Sequence, residues 1–352
     1  MIRVLVADDS PTSRLLLTRI LDADPQITVV GEAADGLEAV RLTHRLRPDL
    51  VTMDVEMPRM DGLEATQEIM STVPTPIVIV TANPRAQEVE TTLAMLRMGA
   101  LEVLLKPPGP EAPNFAEAAR RLVTTVKALS QVKVIRHWRP APAPGPRAEP
   151  IRPVLPVGVR GRVVAVAAST GGPQALQCIL TRLPADFRLP ILVVQHISPG
   201  FTAGLASWLD AICPVRIKVA RQGEVPVPRT VYIAPDDRHL GVSAQGQIAL
   251  SSAPPLGGFR PSGTFLFESV ARVYGASAIG VILTGMGEDG VEGLRAIRRA
   301  GGRIIAQDEK SSIIFGMPGA AVAAGLPDVV LPLDAIAARL TTLAAVGAPP
   351  AR

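Results

Sequence analysis

Apolar residues in this 352-residue chain gather into short unbroken runs, separated by longer stretches in which they recur every three or four positions. Unbroken runs of this length read as strands buried on both faces, and the intervening periodic stretches read as the helices that cover them. The first third holds five strand-like segments, Val4 to Ala7, Thr28 to Glu32, Leu50 to Met53, Ile77 to Val80 and Val103 to Leu105, and a final helix is expected from about Asn114 to Ser130. A second alternating series begins with Val163 to Ala168, Ile191 to Gln195 and Ile279 to Leu283. Between the two series, from about Arg139 to Pro156, stand Pro140, Pro142, Pro144, Pro146, Pro150, Pro153 and Pro156, which cannot continue a helix or a central strand and favour extended polyproline II. The pattern predicts an α/β protein of two doubly wound, mainly parallel-sheet domains joined by a semi-rigid Pro/Ala-rich linker. The expected bounds are 1–131 and 161–345 for the domains, 132–160 for the linker and 346–352 for a tail.

Composition narrows the class. The chain is too long for one ordinary core, and 47% hydrophobic with 19% charged residues describes a soluble globular protein. A net charge of +4 does not demand a nucleic-acid partner, and much of the excess lies between Arg120 and Arg162, where a solvated helix face and linker account for it. Two cysteines exclude a disulfide framework. The start leads directly into a strand without a signal-peptide pattern and no apolar run reaches membrane-spanning length, so a cytoplasmic location is expected. No compact basic helix-turn-helix occurs in the second half, which argues against DNA as a partner. No HExxH or paired-cysteine motif occurs either, which argues against metal-assisted hydrolysis and predicts no cofactor for the second domain's chemistry.

The chemistry of the first domain is carboxylate. Asp8 and Asp9 close its first strand and Asp54 its third, within Met53-Asp54-Val55-Glu56-Met57-Pro58. Acids at neighbouring strand ends repel one another, and a hard dication such as Mg²⁺, which takes a few carboxylates plus waters, relieves the repulsion. Thr81 ends the fourth strand and Lys106 the fifth, supplying a hydroxyl and a cation of the kind that phosphoryl oxygens require. On these residues Ile2 to about Gln131 resembles a response-regulator receiver domain of flavodoxin-like fold. The resemblance implies Asp54 as phospho-acceptor, Mg²⁺ held by Asp8, Asp9, Asp54 and the Glu56 backbone, Thr81 as switch hydroxyl and Lys106 as phosphoryl-binding cation. Receivers usually carry Phe or Tyr three residues before that lysine; here the residue is Val103.

In the second domain three strands run into Ser169, His196 and, through Thr284-Gly285-Met286-Gly287-Glu288, Asp289. A serine becomes a nucleophile when a histidine takes its proton, and a carboxylate holds that histidine in the right tautomer. Thr170, Gly171 and Gly172 follow the serine into a helix whose first amides can meet a developing oxyanion. The segments Ala168-Ser169-Thr170-Gly171-Gly172-Pro173, Gln195-His196-Ile197-Ser198-Pro199-Gly200, Leu283-Thr284-Gly285-Met286-Gly287 and Phe315-Gly316-Met317-Pro318 resemble those of the Rossmann-like chemotaxis protein-glutamate methylesterases. Both domains in this order resemble the complete CheB-type regulator. The resemblance implies Ser169 as nucleophile, His196 as general base and acid, Asp289 as orienting carboxylate and the Met286 amide as an oxyanion donor. It also implies a phosphorylation-activated esterase that removes methyl groups from γ-glutamyl methyl esters of methyl-accepting chemoreceptors and deamidates receptor glutamines. A chemotaxis histidine kinase would be the phospho-donor, the protein a monomer, and the unphosphorylated receiver a cover over the esterase cleft. The alternative is a non-catalytic, phospho-regulated module that binds partners. His239 is expected to make a structural hydrogen bond. Phe259, Thr264 and Trp208 depart from the family's usual His, Asp and Arg, and these departures are expected to bear on receptor preference.

Overall fold

The structure is a computed structural model describing residues 1–82, 86–132, 134 and 163–345, with the side chains of 86–88 outside the description. Most of the expected linker and the tail 346–352 lie outside the described residues. The chain divides into two compact units, Met1–Pro140 and Ala141–Arg352.

The first unit alternates β1 (Ile2–Ala7), α1 (Pro11–Asp22), β2 (Ile27–Ala33), α2 (Gly36–Leu46), β3 (Leu50–Met53) and α3 (Gly62–Thr72), then β4 (Ile77–Thr81), α4 (Ala86–Met98), β5 (Glu102–Leu105) and α5 (Phe115–Leu129). Element ends differ from expectation by a residue or two, as helix caps and frayed strand ends allow. Val4, Leu5, Val6, Leu50, Val51, Ile77, Val78 and Ile79 are all at most 1% exposed, which is why these strands carry no polar alternation. The parallel order is β2-β1-β3-β4-β5. From β1 the chain winds first to one side and then to the other, so the crevice at the topological switch opens between the carboxyl ends of β1 and β3.

The second unit runs β6 (Val163–Ala168), α6 (Gly172–Leu180), β7 (Ile191–Gln195), α7 (Thr202–Ile212), β8 (Arg216–Val219), β9 (Thr230–Ile233), β10 (His239–Val242) and β11 (Ile248–Ser251). It continues with α8 (Gly263–Tyr274), β12 (Ala278–Ile282), α9 (Val291–Arg299), β13 (Arg303–Gln307), α10 (Met317–Ala323), β14 (Val329–Leu331) and α11 (Leu333–Ala345). Seven parallel strands lie in the order β14-β13-β12-β6-β7-β9-β8, and β10 and β11 form a separate antiparallel pair. Strand β6 is the switch point here, with β7 on one side and β12 on the other. Leu240, Val242 and Ile248 of the β10–β11 pair share one core with Leu266, Phe267 and Val270 of α8, and this packing fixes where α8 begins. Among the described residues no helix is long and apolar enough to cross a membrane.

Candidate active sites

In the first unit the sheet ladder continues one residue beyond the strands and so aims the polar side chains. The Asp8 amide donates to Ala33 O at 3.1 Å, Asp54 to Ala7 O at 2.9 Å and Lys106 to Thr81 O at 2.7 Å. Carboxylate oxygens of Asp8, Asp9 and Asp54 then lie within 4.8 Å of one another. Lys106 Nζ bridges two of them, 2.7 Å from Asp8 Oδ2 and 2.6 Å from Asp54 Oδ2, and Asp54 Oδ1 accepts from the Val55 amide at 2.8 Å. Burial pushes the Asp54 carboxyl up; Lys106 and the Val55 amide pull it down, Asp8 adds to the rise, and it stands at about 6. Burial works the other way on the Lys106 ammonium, but its bonds to Asp54 and Asp8 prevail and raise it. Three converging hard oxygens with one shared cation fit a small dication of the Mg²⁺ kind. Thr81 is buried at the end of β4, the Glu56 side chain is exposed in the loop after Asp54, and Val103 is buried in β5.

The second site forms around the end of β6. There Ala168 pairs with Gln195 and Ala167 with Ile282. The ladder again runs on, with the His196 amide on Ala168 O at 2.9 Å and the Ser169 amide on Thr284 O at 3.0 Å. Ser169 therefore stands between the other two strand ends. Gln195 Nε2 donates to both Ser169 O and His196 O at 2.8 Å, tying the two residues' backbones together. His196 is buried, with Nε2 2.9 Å from Asp289 Oδ2. That contact is close but not in line with the ring N–H, and among the described residues neither ring nitrogen has an aligned hydrogen bond. Catalytic hydrogen bonds are commonly poorly aligned before substrate arrives.

Asp289 is held by the start of α8. Its Oδ1 accepts from Ser262 Oγ at 2.8 Å and the Thr264 amide at 3.1 Å, and its Oδ2 from the Gly263 amide at 2.6 Å. Burial pushes this carboxyl up, but His196, the Gly263 amide and the Ser262 hydroxyl outweigh it and hold it at about 2. A helix N-terminus adds its own preference for negative charge. Sequence reasoning missed Ser262 and Gly263; the signal was a Ser-Gly at the head of an amphipathic stretch, an N-cap pattern. Thr264 and Phe259, expected to bear on receptor preference, lie against Asp289 and His196. Thr264 Oγ1 accepts from the Gly290 amide at 2.9 Å, and the Phe259 ring stacks on His196 with centroids 4.2 Å apart. Trp208 is buried within α7. His239 Nε2 lies 3.1 Å from Pro254 O and its ring stacks on Phe265, consistent with a structural role.

Of the oxyanion candidates, Gly171 is the left-handed N-cap of α6. The Gly172 amide donates to Ser169 O at 2.7 Å and is thus committed to closing the turn. The Met286 loop passes directly beside the serine, because Gly285 has no Cβ. One added there would lie 2.7 Å from Ser169 Cβ. Gly285 is itself fastened on both sides, its amide to Ile314 O at 3.0 Å and its carbonyl accepting from Met317 N at 2.9 Å.

Comparison with known proteins gives a consistent picture. Residues 164–340 match the CheB methylesterase family and residues 4–113 the response regulator receiver domain. A protein-glutamate methylesterase/protein-glutamine glutaminase of Myxococcus xanthus is 56% identical over 97% of this chain and 96% of its own length. A protein of the same description from Anaeromyxobacter dehalogenans is 58% identical over 97% of this chain and 98% of its own. The CheB methylesterase catalytic domain of Thermotoga maritima superposes with a TM-score of 0.52 at 41% identity, over 53% of this chain and 100% of that domain.

Proposed function

The chain belongs to the CheB methylesterase family, with a response regulator receiver domain ahead of the catalytic one, and from that premise we propose which residues carry its chemistry. The protein is a phosphorylation-regulated esterase of the cytoplasm. It hydrolyses γ-glutamyl methyl esters of methyl-accepting chemoreceptors and deamidates receptor glutamines.

Ser169 Oγ attacks the ester carbonyl carbon while His196 takes its proton. Since Nε2 faces Asp289, Nδ1, buried and without a partner among the described residues, is the nitrogen left for the serine. Asp289, held at about 2, stays ionised and stabilises the imidazolium. Thr170, Gly171 and Met286 amides meet the oxyanion. His196 returns the proton to the departing methoxide, which leaves as methanol, or to the departing amine of a glutamine, which leaves as ammonia. Water then attacks the Ser169 acyl ester, giving its proton to His196 and on to Ser169 Oγ, and glutamate is released.

In the receiver, Asp54 accepts a phosphoryl group from a chemotaxis histidine kinase; Asp8, Asp9, Asp54 and the Glu56 backbone would hold Mg²⁺ there. When bound, that ion neutralises charge on the phosphoryl oxygens. Lys106 pairs with one of those oxygens and Thr81 turns its hydroxyl to another.

The observation that carries this reading is the 2.9 Å His196–Asp289 pair beside Ser169, all three lying past the carboxyl ends of adjacent parallel strands. Methanol release from methylated receptor membranes tests it: wild type is expected to turn over, and Ser169→Ala to fall by about three or more orders of magnitude while still binding receptor. Wild-type turnover by Ser169→Ala would sink the assignment.

A further inference from the structure

Neither the Asp289 contact nor the backbone ties at Gln195 and Ala168 fix the plane of the His196 imidazole. Terminal torsions of this kind are broad, and the Asp289 contact lies out of line with the ring N–H. Among the described residues, the aromatic ring stacked on the imidazole is that of Phe259, which lies nearly parallel to it, 4.2 Å away and inclined by 6°. Phe259 is only half-buried, whereas Phe187, Phe201 and Phe267 are buried in the core, so filling the interior does not explain it.

The segment that carries Phe259 is built as an arm. Leu256 and Phe259 exchange backbone hydrogen bonds at 3.0 and 3.1 Å, across Gly257 and Gly258 with φ of +60° and +86°. Two consecutive positive φ values make the tight primed turn that only glycine-like residues adopt readily. Residues 252–258 are exposed, yet both ends of the arm are fastened. Arg260 Nε and Nη2 donate to Asp237 Oδ1 at 2.8 and 2.5 Å, and Nη1 donates to Ser252 O and Ala253 O at 3.3 and 3.1 Å. His239 meets Pro254 O on one side, and Ser262 meets Asp289 on the other. An exposed turn so tied delivers its aromatic ring to a set place.

We propose that Phe259 is a positioning residue: its stacked ring fixes the plane of the His196 imidazole so that Nε2 faces Asp289 while Nδ1 stays available to Ser169. This rests on the reading of His196 as general base. An aromatic face also favours the imidazolium that forms when the serine proton is taken, so the stack acts in the transition state more than in substrate binding.

The test uses the full chain with methylated receptor membranes and methanol release. Phe259→Leu keeps an apolar group without the flat ring; kcat is expected to fall about tenfold to a hundredfold with KM within about twofold. Phe259→Tyr is expected to stay within about threefold of wild type. The carbon-bound imidazole proton resonances of His196 are expected to move downfield in Phe259→Leu, because the shielding ring is gone. Phe259→Met serves the same purpose should the leucine variant not fold. Unchanged kcat in Phe259→Leu, a rise in KM alone, or a tyrosine variant as slow as the leucine one would overturn the proposal. Ser169→Ala run alongside separates the two levels: turnover there defeats the catalytic reading itself, whereas an inactive Ser169→Ala beside a fully active Phe259→Leu defeats only the positioning role.

Discussion

Asp54 and Asp289 occupy matching places in the two units, each in the loop past the carboxyl end of a buried parallel strand beside a topological switch, and both are less than a tenth exposed. Their electrostatic settings are opposite. Asp54 shares the Lys106 ammonium with Asp8 and receives one backbone amide, so burial prevails and its carboxyl rises to about 6. Asp289 sits at the N-terminus of α8 with two backbone amides, a hydroxyl and an imidazole around it, and it falls to about 2. The strand-end position alone therefore does not decide what an aspartate does. An under-compensated carboxylate is disposed to take up a cation and a phosphoryl group, while an over-compensated one stays ionised and still, as an orienting group must.

Removing the under-compensated acid should have an all-or-none effect on its own unit. With a small phospho-donor and Mg²⁺, wild type is expected to gain one phosphoryl adduct by intact mass and Asp54→Asn none, while the Ser169-dependent basal turnover of the variant persists. An adduct of undiminished yield in Asp54→Asn would break the comparison from the receiver side.

From the esterase side the matching change is Asp289→Asn. The amide cannot stabilise the imidazolium and favours the wrong imidazole tautomer, so kcat for methanol release is expected to drop by about 10⁴-fold. A loss of less than about tenfold would show that the field around Asp289 serves folding and not the reaction.

How much of this was legible in the sequence differs between the two aspartates. Unbroken apolar runs located β6 and β7 to the residue, and with them Ser169 and His196; the strand leading to Asp289 was displaced by one residue, Ala278–Ile282 in place of Ile279–Leu283. The receiver cluster was equally readable, since Asp8, Asp54 and Lys106 lie immediately past strands, Thr81 ends one and Asp9 follows Asp8. What could not be read is whatever comes from far along the chain. Ser262, Gly263 and Thr264 reach Asp289 from 25 to 27 residues away, and Phe259 reaches His196 from a loop whose course depends on β10, β11 and α8 packing together. Periodicity identifies elements, but contacts of this kind depend on how elements dock.

A smaller effect is expected where the two units act on each other. A fragment beginning near Arg160 is expected to demethylate receptor about tenfold faster than the unphosphorylated full chain, a typical size for coupling between sites. Phosphorylation of Asp54 should bring the full chain toward the fragment's rate, since it can act only through a difference in docking energy between receiver states. Equal rates for the fragment and the unphosphorylated chain at matched receptor concentration would mean that the receiver does not restrain the esterase by covering it.

The smallest effect tests the setting of Asp289 by pH. Its carboxyl lies at about 2 in the fold against an ordinary value of 3.8. A depressed carboxyl contributes stability that is fully present above the unfolded value and lost as pH falls through the folded one, here about 2 kcal/mol in all. Ser262→Ala removes one of the bonds responsible and also the N-cap of α8, where Ser262 Oγ accepts from the Phe265 amide at 3.4 Å. Its unfolding free energy at pH 7 is expected to be lower than wild type by about 1–2 kcal/mol. The cap contribution is independent of pH, whereas the carboxylate contribution shrinks once Asp289 begins to protonate. Denaturant unfolding of the esterase unit at pH 7 and again below pH 3 should therefore show the gap between Ser262→Ala and wild type narrowing in acid. A gap of the same size at both pH values would assign Ser262 to helix capping alone and leave the backbone amides of Gly263 and Thr264, with His196, as what holds the carboxylate down.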